Sequence, residues 1–401
     1  MSYIDKLLQG VEVEWKTIDE LFHVKNGYTP SKKNKEFWLD GTVPWFRMED
    51  LRTNGRVLSD SIQHVSESAI KGGKYFPANS IIIATSATIG EHALITVPYL
   101  SNQRFTNLSL KKEYKEVLMP KFLYYYCFIL DEWCKNNTTV GNFAGVDMHG
   151  FKKFPIPIPP LEVQKEIIRI LDTFTKLTAE LTAELTARKK QYSYYRDKLL
   201  SFEENKVEWK TLGEVVQRTK NIKWNGTDEY YHYIDLSSVS RINNSITETI
   251  EITRNNAPSR AKKLVQKDDV IFATTRPTQM RYCLIPKEYS GDVASTGYCV
   301  LRAKSTEVLP KWIFYWVSSS EFKIYLEENQ SGSAYPAISD AKVKDFKIPI
   351  PPLKEQEYII SILNKFDTLT SSISEGLPKE IELRKKQYEY YRDKLLTFSQ
   401  K

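Results

Sequence analysis

Three short segments of the sequence place a glutamate two residues before a lysine, and similar carboxylate and lysine triples occur in metal-dependent nucleases. These segments are Glu14-Trp15-Lys16, Glu208-Trp209-Lys210 and Glu321-Phe322-Lys323. Metal-assisted cleavage needs several carboxylates that converge on the ion, and these triples do not supply them. The first two triples lie where predicted domains begin, and the third lies on a predicted helix. We therefore expect no metal site at any of them.

The cysteines give no pattern that indicates metal binding or redox chemistry. Cys127, Cys134, Cys283 and Cys299 form no CxxC pair, and the five histidines do not lie at ligand spacing with them. Buried, inert thiols are therefore expected. The sequence also lacks a G-x-x-x-x-G-K-[ST] phosphate loop, a G-x-G-x-x-G motif after a strand and an H-E-x-x-H motif. No catalytic signature is present.

Composition is that of an ordinary globular protein, with 41% hydrophobic and 27% charged residues. A chain of 401 residues is long for a single core, which favours two domains. No stretch approaches the roughly 18 apolar residues of a membrane span, and the first residues lack the pattern of a secretory signal. We expect a cytoplasmic protein that does not bind membranes. Its net charge of +7 favours a polyanionic partner.

An internal repeat organises the whole chain. The tract RKKQYSYYRDKLLSF at 188–202 recurs as RKKQYEYYRDKLLTF at 384–398, with two differences. The sequence PIPPL occurs at 157–161 and 349–353, and EWKT begins at both Glu14 and Glu208. The period is several times longer than the roughly 20 to 50 residues of a solenoid repeat. Each repeat must therefore contain a domain and a connector.

The globular parts mix strand-like and helix-like patterns in the same order. The first has a strand-like run at 80–84 and a helical run at 121–133, and the second has strand-like runs at 269–273 and 297–301 before a helical run at 310–326. We predict an α+β fold with two mixed α/β domains joined by two long helices, related by a pseudo-two-fold internal repeat. The predicted boundaries are 1–153 for the first domain, 154–205 for the first proline turn and long helix, 206–345 for the second domain, and 346–401 for the second proline turn and long helix.

Both connectors begin with a proline-rich segment, 155–160 or 349–352, which we expect to be a turn because proline restricts the backbone. Apolar residues then recur at alternating steps of three and four, as in a coiled-coil seam. The seam runs through Ile167, Ile170, Phe174, Leu177, Leu181 and Leu185 in the first helix and through Ile359, Ile362, Phe366, Leu369, Ile373 and Leu377 in the second. Two such helices most simply pack as an antiparallel coiled coil. The sequence Gly376-Leu377-Pro378 predicts a break in the second.

On these residues the chain resembles the specificity (S) subunit of type I restriction-modification enzymes, and in particular the IC branch. The resemblance rests on the two proline-proline-leucine starts followed by Gln164 or Gln356, the tandem TAEL units at 178–185, and the RKKQY and YYRDKLL tracts. Within the globular parts, the segments at 27–31, 37–38, 43–45, 274–277 and 295–297 are similar to the family's target recognition domains.

The resemblance implies two target recognition domains, each of which reads one half of a bipartite site in double-stranded DNA. The helices would act as a spacer and as a docking platform for two modification (M) subunits, with restriction (R) subunits joining through the complex. The S subunit would be non-catalytic and hold no cofactor, because S-adenosylmethionine, ATP and Mg belong to its partners. Two other hypotheses are an enzyme, which would need a methyltransferase motif that the sequence lacks, and a coiled-coil protein-binding adaptor without DNA specificity.

Base reading in the major groove needs arginine or lysine for guanine and asparagine or glutamine for adenine, whereas phosphate contact and plain solubility look alike in sequence. In the first domain the candidate DNA-binding residues are Lys25, Asn26, Thr29, Ser31, Lys32, Lys33, Arg47, Ser86, Thr88, Asn102, Gln103 and Arg104. In the second they are Lys220, Asn221, Lys223, Thr274, Thr275, Arg276, Gln279, Arg281, Ser333 and Tyr335. Arg276 and Arg281 stand out because an apolar strand directly precedes them.

Aromatic residues of the copied tracts are expected to pack. Helical spacing favours a core or a partner interface over nucleic-acid stacking for the tyrosines of both tracts, and Trp15 and Trp209 are expected to pack where helix and domain meet. The predicted partner-binding residues are Tyr194, Tyr195, Arg196, Tyr390, Tyr391 and Arg392. The basic residues that begin each tract, such as Arg188 and Arg384, could face DNA phosphates, acidic patches of M subunits or solvent.

Overall fold

The computed structural model describes residues 3–139, 144–372 and 375–398, so Ile373 of the predicted seam lies outside the described residues. Contacts divide the chain into two compact units. Unit 1 contains Met1–Leu177 and Arg384–Lys401, and unit 2 contains Thr178–Leu383. Each unit therefore combines one globular domain with segments of both long helical connectors.

A five-stranded sheet forms the centre of unit 1. In spatial order its strands are Phe22–Asn26, Phe105–Leu110, Ser80–Ala84, His92–Ile95 and Val57–Leu58. Neighbours are antiparallel except for the last pair, which is parallel. Ser80–Ala84 is buried along its whole length, which accounts for its three consecutive isoleucines. A smaller three-stranded sheet has Val43–Phe46 between His64–Val65 and Leu100–Ser101, and Thr138–Thr139 pairs with Gly145–Val146.

The helices of unit 1 share one hydrophobic cluster, except Met48–Asn54, which packs in another. They are Tyr3–Leu8, Ile18–Leu21, Met48–Asn54, Pro120–Asn136 and Met148–Lys153, followed by the start of the long helix Leu161–Leu199. Pro120–Asn136 begins with proline at its first position, where the missing N–H has no intrahelical partner to lose. Its buried residues share a hydrophobic cluster with Ile167 and Leu171 of the long helix and with Leu395 near the end of the chain.

Unit 2 has two four-stranded sheets. One has the order Val216–Gln217, Tyr298–Ala303, Val270–Ala273 and Tyr282–Leu284, and the other Ile250–Ile252, Tyr231–Ile234, Val293–Ser295 and Ala261–Leu264. The helices of the domain are Leu212–Val215, Pro310–Val317, Ser320–Asn329 and Asp340–Lys344. The single helical run predicted at 310–326 is wrong in one respect. It is divided because the Ser319 side chain caps a new helix by accepting a hydrogen bond from Phe322 N–H.

The proline-rich segments form strands, which corrects the predicted turns. Pro155–Ile158 pairs antiparallel with Glu14–Thr17, and Lys347–Ile350 pairs in the same way with Glu208–Thr211. Prolines are compatible with a two-stranded ladder because every second N–H of an edge strand points away from the partner. These two ribbons bring the start of each domain to the start of its long helix.

The two connectors differ in continuity. The first helix runs unbroken over Leu161–Leu199, whereas the second is divided into Leu353–Ser371 and Gly376–Leu396. Gly376 has a φ of 74°, and a Cβ there would overlap the carbonyl oxygen of Thr368. The predicted break is confirmed. The first connector begins in unit 1 and ends in unit 2, and the second begins in unit 2 and ends in unit 1.

Candidate nucleic-acid interface

A groove of about 690 Å³ in unit 1 collects predicted DNA-binding residues from three separate loops. Thr29, Lys32, Arg47, Asn102, Gln103 and Arg104 all line it. The rest of the lining includes aromatic and aliphatic side chains, among them Trp38, Leu39, Trp45 and Met48. A groove that combines amides, cations and apolar surface can contact base edges and phosphates together.

Backbone hydrogen bonds hold these three loops together. Tyr28 N–H donates to Ser101 O at 2.7 Å, and Asn102 N–H donates to Phe46 O at 2.9 Å. Gly27 is required at this approach because a Cβ there would overlap the Asn102 carbonyl oxygen. Thr29 Oγ1 then donates to Gln103 Oε1. Asn102 Oδ1 accepts from Arg104 N–H at 2.9 Å, so the turn keeps one shape.

Arg47 enters the groove just before the helix Met48–Asn54. Its guanidinium lies 5.6 Å from the centroid of the Trp45 ring and 3.0 Å from Glu49 Oε2. Its backbone N–H donates to Asp50 Oδ2 at 2.6 Å, and Asp50 is completely buried. Within the described residues, Arg47 Nε is buried and has no hydrogen-bond partner. The side chain is held at its base and keeps 31% of its surface exposed, so its guanidinium can bind an acceptor supplied by a ligand.

Other predicted residues of the first domain lie outside the groove lining. Lys25 and Asn26 end the edge strand Phe22–Asn26, where Asn26 Oδ1 accepts from Thr106 Oγ1 at 3.0 Å. Ser86 forms an isolated β-bridge with Gly145, and Thr88 lies two residues after Ser86 in the same turn. Ser31 and Lys33 are exposed beside Lys32. Sequence reasoning missed Lys35, Leu39, Met48 and Gln63 as lining residues, because only the folded chain brings them together.

A strained turn presents Arg276 in unit 2. Arg276 and Met280 both have a φ of 50°, on either side of the buried Pro277, and this left-handed conformation is costly for residues with a side chain. The Arg276 guanidinium lies 5.2 Å from the centroid of the Tyr335 ring, and Arg276 N–H donates to Pro336 O at 2.7 Å. Tyr335 itself is 72% exposed. The stacked pair therefore stands on the surface of the domain.

Neighbouring candidates divide into exposed and supporting residues. Thr275 forms an isolated β-bridge with Ala337, and Gln279 Oε1 accepts a hydrogen bond from Arg241 Nη1 at 3.4 Å. Ser333 is exposed in the same loop as Tyr335, and Arg281 is half-buried. The prediction that Thr274 binds DNA must be corrected. It is 8% exposed and donates its hydroxyl proton to Gly297 O at 3.0 Å, so it supports the turn and has no path to a base.

A second exposed segment of unit 2 lies beside the strand Ala261–Leu264. Lys220, Asn221 and Lys223 are exposed there. Asn221 forms an isolated β-bridge with Lys263, and Trp224 Nε1 donates a hydrogen bond to Ala261 O at 3.0 Å. The structure ties this segment to that strand and not to the Arg276 turn.

Three of the six predicted partner-binding residues pack largely inside the chain, and a fourth, Tyr195, is partly covered. Tyr391 stacks on Phe174 in unit 1, and Tyr195 stacks on Phe366 in unit 2, with ring centroids 5.4 Å and 5.9 Å apart. The side chains of Arg196 and Arg392 are only 12% and 19% exposed. Helical periodicity turns Tyr391, Arg196 and Arg392 toward the seam, which corrects their assignment to a partner surface. Tyr195 is 39% exposed beside Phe366 and stays a candidate for that surface.

Tyr194 and Tyr390 face outward. They are 63% and 62% exposed, and each ring meets the seam tyrosine that follows it edge to face. They remain candidates for a partner surface. Trp15 and Trp209 pack against the cores of their units, which confirms the predicted packing role.

The residues first considered for chemistry form no centre. Lys16 Nζ pairs with Glu14 Oε1 at 2.8 Å, and Lys210 Nζ pairs with Glu307 Oε2 at 2.8 Å, so both lysines lie in surface ion pairs. Over the described residues, no group of three or more His, Cys, Asp or Glu side chains could hold a metal ion. All four cysteines are free and buried, as predicted. Across the same part of the chain, no helix is both long enough and apolar enough to cross a membrane.

Comparison with known proteins gives one consistent result. The family model described as "Type I restriction modification DNA specificity domain" matches residues 10–188 and again 204–383. The type I restriction enzyme EcoprrI specificity subunit of Escherichia coli is 45% identical over 94% of this chain and 92% of its own length. The EcoR124I/EcoR124II specificity subunit of Escherichia coli is 32% identical over 99% of this chain and 97% of its own.

A solved structure shows the same fold. The type I restriction-modification system S subunit from M. genitalium aligns over 100% of both chains with a TM-score of 0.51 at 16% identity. The predicted α+β architecture, with two repeated domains and long helices, is confirmed.

Proposed function

The chain belongs to the type I restriction-modification DNA specificity family, and on that premise we propose that it is the non-catalytic subunit that reads the DNA sequence for such a complex. Unit 1 would read one half of a bipartite double-stranded site, and unit 2 the other. The observation that carries this proposal is the convergence of Thr29, Arg47 and Gln103 from separate loops on one groove.

The two domains are suited to different base sequences. Their connectors share the PIPPL start and a 15-residue tract with two differences, whereas their globular parts present different side chains. Unit 1 offers a groove with two adjacent amides, Asn102 and Gln103, which suit adenine. Unit 2 offers Arg276, a guanidinium that suits guanine and is supported from one side by Tyr335. Divergent surfaces on a repeated scaffold are what a split, asymmetric site needs.

The helices would set the spacing and dock the partners. The unbroken helix Leu161–Leu199 is a stiff element, and the duplicated Tyr194 and Tyr390 give two equivalent exposed positions for two M subunits. R subunits would join through that complex. Methyl transfer from S-adenosylmethionine and ATP-driven, Mg-dependent cleavage would belong to the partners, and this chain would hold no cofactor. Its place of action would be the cytoplasm, where the DNA is.

Mapping methylated adenines in a host genome tests the proposal. A strain that carries the gene should show a bipartite methylated motif, and deletion of the gene should remove it while other methylated motifs stay. Exchange of residues 206–345 for the same region of a relative should change one half of the motif only. A methylome that does not depend on the gene would contradict the proposal.

The adaptor hypothesis makes a different prediction. A coiled-coil protein-binding adaptor should bind almost no DNA at any ionic strength, whereas a sequence reader should prefer its motif over a scrambled duplex at both low and high salt. Filter binding of the complex with its M subunit at two salt concentrations separates the two hypotheses. Weak binding without sequence preference that disappears with salt would indicate only charge attraction.

A further inference from the structure

An exposed apolar residue stands in the wall of the unit 1 groove. Leu39 is 62% exposed and lines the same groove as Lys32, Lys35, Arg47 and Arg104. Within the described residues it belongs to none of the hydrophobic clusters. Single exposed leucines are common on protein surfaces, so its exposure alone indicates nothing. Its position among four cations is the informative feature.

The loop that carries Leu39 is rigid. Trp38 Nε1 donates to Ser31 O at 3.1 Å, and the Trp38 ring meets the buried Trp45 ring edge to face at 5.1 Å. Asp40 has a φ of 48°, and a Cβ on Gly41 would overlap the backbone of Val65 at 2.6 Å. The loop is therefore fixed on both sides of Leu39. The backbone that carries Leu39 therefore needs little further ordering when a ligand binds in the groove.

The chemistry of the groove and of duplex DNA limits the groups that the Leu39 side chain can contact. The groove lining carries four cations against one carboxylate, Glu49, so it favours a polyanion. On duplex DNA the phosphates and most base-edge atoms are polar. In the major groove the C5-methyl group of thymine is the apolar feature, and aliphatic side chains recognise it by contact. The adjacent Asn102 and Gln103 amides suit adenine, the base paired with thymine.

We propose that Leu39, supported by Trp38, contacts the C5-methyl group of a thymine in the half-site read by unit 1 and so contributes to its specificity. This inference rests on the proposed function and adds to it one residue and one chemical group of the DNA. Contact with a methyl group implies a distinct response to thymine and uracil, which differ only in that group.

The test uses the complex of this chain with its M subunit and duplexes that carry the mapped motif. The half-site of unit 1 is the one whose discrimination falls in a Gln103→Ala variant. Each thymine of that half-site is replaced in turn by deoxyuridine, which keeps Watson–Crick pairing. One replacement should weaken binding about fourfold, as expected for the loss of one buried methyl group. Leu39→Ala should bind the thymine and uracil duplexes equally.

A matched control separates this effect from general loss of apolar surface. Ile242, which is 81% exposed in unit 2, is replaced by alanine, and this variant should keep the sensitivity to uracil. The proposal is overturned if no thymine of the half-site responds to uracil, if the half-site contains no thymine, or if Leu39→Ala stays sensitive. If Leu39→Ala weakens binding but no uracil replacement weakens binding by the unsubstituted chain, Leu39 acts as a wedge between base pairs, and the proposal is also overturned. Loss of preference for the motif over a scrambled duplex would instead count against the proposed function.

Discussion

Gln164 Oε1 accepts a hydrogen bond of 2.9 Å from the backbone N–H of Met119, and this contact fastens the long helix to its domain. Gln164 Nε2 also donates to Val117 O at 2.8 Å and to Pro159 O at 2.7 Å. Gln356 makes the same three bonds in unit 2, to Leu309 N–H, Glu307 O and Pro351 O. Both glutamines are completely buried. One side chain in each repeat therefore satisfies three backbone groups that join helix, proline strand and domain.

Gln164→Ala should destabilise unit 1 by about 2 to 4 kcal/mol, because it leaves buried backbone groups without partners. Gln356→Ala should have a similar effect on unit 2. Urea unfolding followed by tryptophan fluorescence measures both. The exposed Gln9 serves as control, and Gln9→Ala should change the free energy of unfolding by less than about 0.5 kcal/mol. An effect of Gln164→Ala no larger than that of the control would show that this contact does not hold the helix.

Arg276 and Tyr335 should act together at one half-site. Arg276→Ala should remove about 1 to 3 kcal/mol of discrimination at the half-site of unit 2 and leave the other half unchanged. Tyr335→Phe should keep most of that discrimination, because a phenyl ring still supports the guanidinium, whereas Tyr335→Leu should lose part of it. Competition binding with duplexes that have single mismatches in each half gives these values. Equal losses at both halves would contradict separate reading by the two domains.

The outward and inward tyrosines should respond differently to substitution. Replacing both Tyr194 and Tyr390 with serine should reduce co-purification of the M subunit and leave the folded chain intact, because both rings are exposed. Tyr391→Ser should instead destabilise unit 1, since it removes the ring that stacks on Phe174. Size-exclusion chromatography with light scattering reports the complex, and thermal unfolding reports stability. Full assembly by the Tyr194 and Tyr390 double variant would move the partner surface elsewhere.

The thiols should be unreactive in the folded protein. Burial raises the pKa of Cys134, Cys283 and Cys299 to about 12 and holds the pKa of Cys127 well above its ordinary value. Because thiolate forms only as the pH approaches the pKa, these groups stay protonated at pH 8 and largely so at pH 10. Mass spectrometry after brief iodoacetamide treatment should show no label on the native chain and four labels in urea. Rapid native labelling at pH 8 would contradict the buried placement.

Sequence patterns predicted the structural features that depend only on residues close together in the chain. The repeat, the helical seams and the break at Gly376 follow from spacing and from glycine and proline chemistry within one segment. The proline strand Pro155–Ile158 could not be predicted in that way, because its partner strand Glu14–Thr17 lies near the other end of the domain. Strand pairing between segments that lie far apart in the sequence leaves no pattern within either segment from which it could be predicted.

The same distinction between local and long-range features applies to the candidate site. Base-reading residue types in loops were found by composition, but the lining contributed by Leu39 and Gln63 depends on how three loops meet. Thr274 has a suitable side chain, yet it directly follows the buried strand Val270–Ala273 and is itself buried, with its hydroxyl donated to Gly297 O. Tyr194 and Tyr195 are neighbours of the same type, and the direction of the seam decides that Tyr195 stacks on Phe366 whereas Tyr194 is the more exposed.

The length of the first long helix should set the gap between half-sites. One more Thr-Ala-Glu-Leu unit after Leu185 lies within the unbroken helix Leu161–Leu199 and adds about 6 Å along its axis. Four residues are slightly more than one helical turn, so the apolar stripe is rotated by only about 40° and can still meet its partner. We expect a methylated motif with a longer gap and unchanged bases in both halves.

An insertion of two residues at the same place is the matched control. It rotates the following apolar residues by about 200°, which turns the seam toward solvent, so we expect an unstable protein and little methylation. Methylation mapping of both variants checks the prediction. If the four-residue insertion leaves the gap unchanged, the helix does not set the spacing. If it alters the bases of either half, the helix and the reading surfaces are not independent, and the separation of spacer from reader must be abandoned.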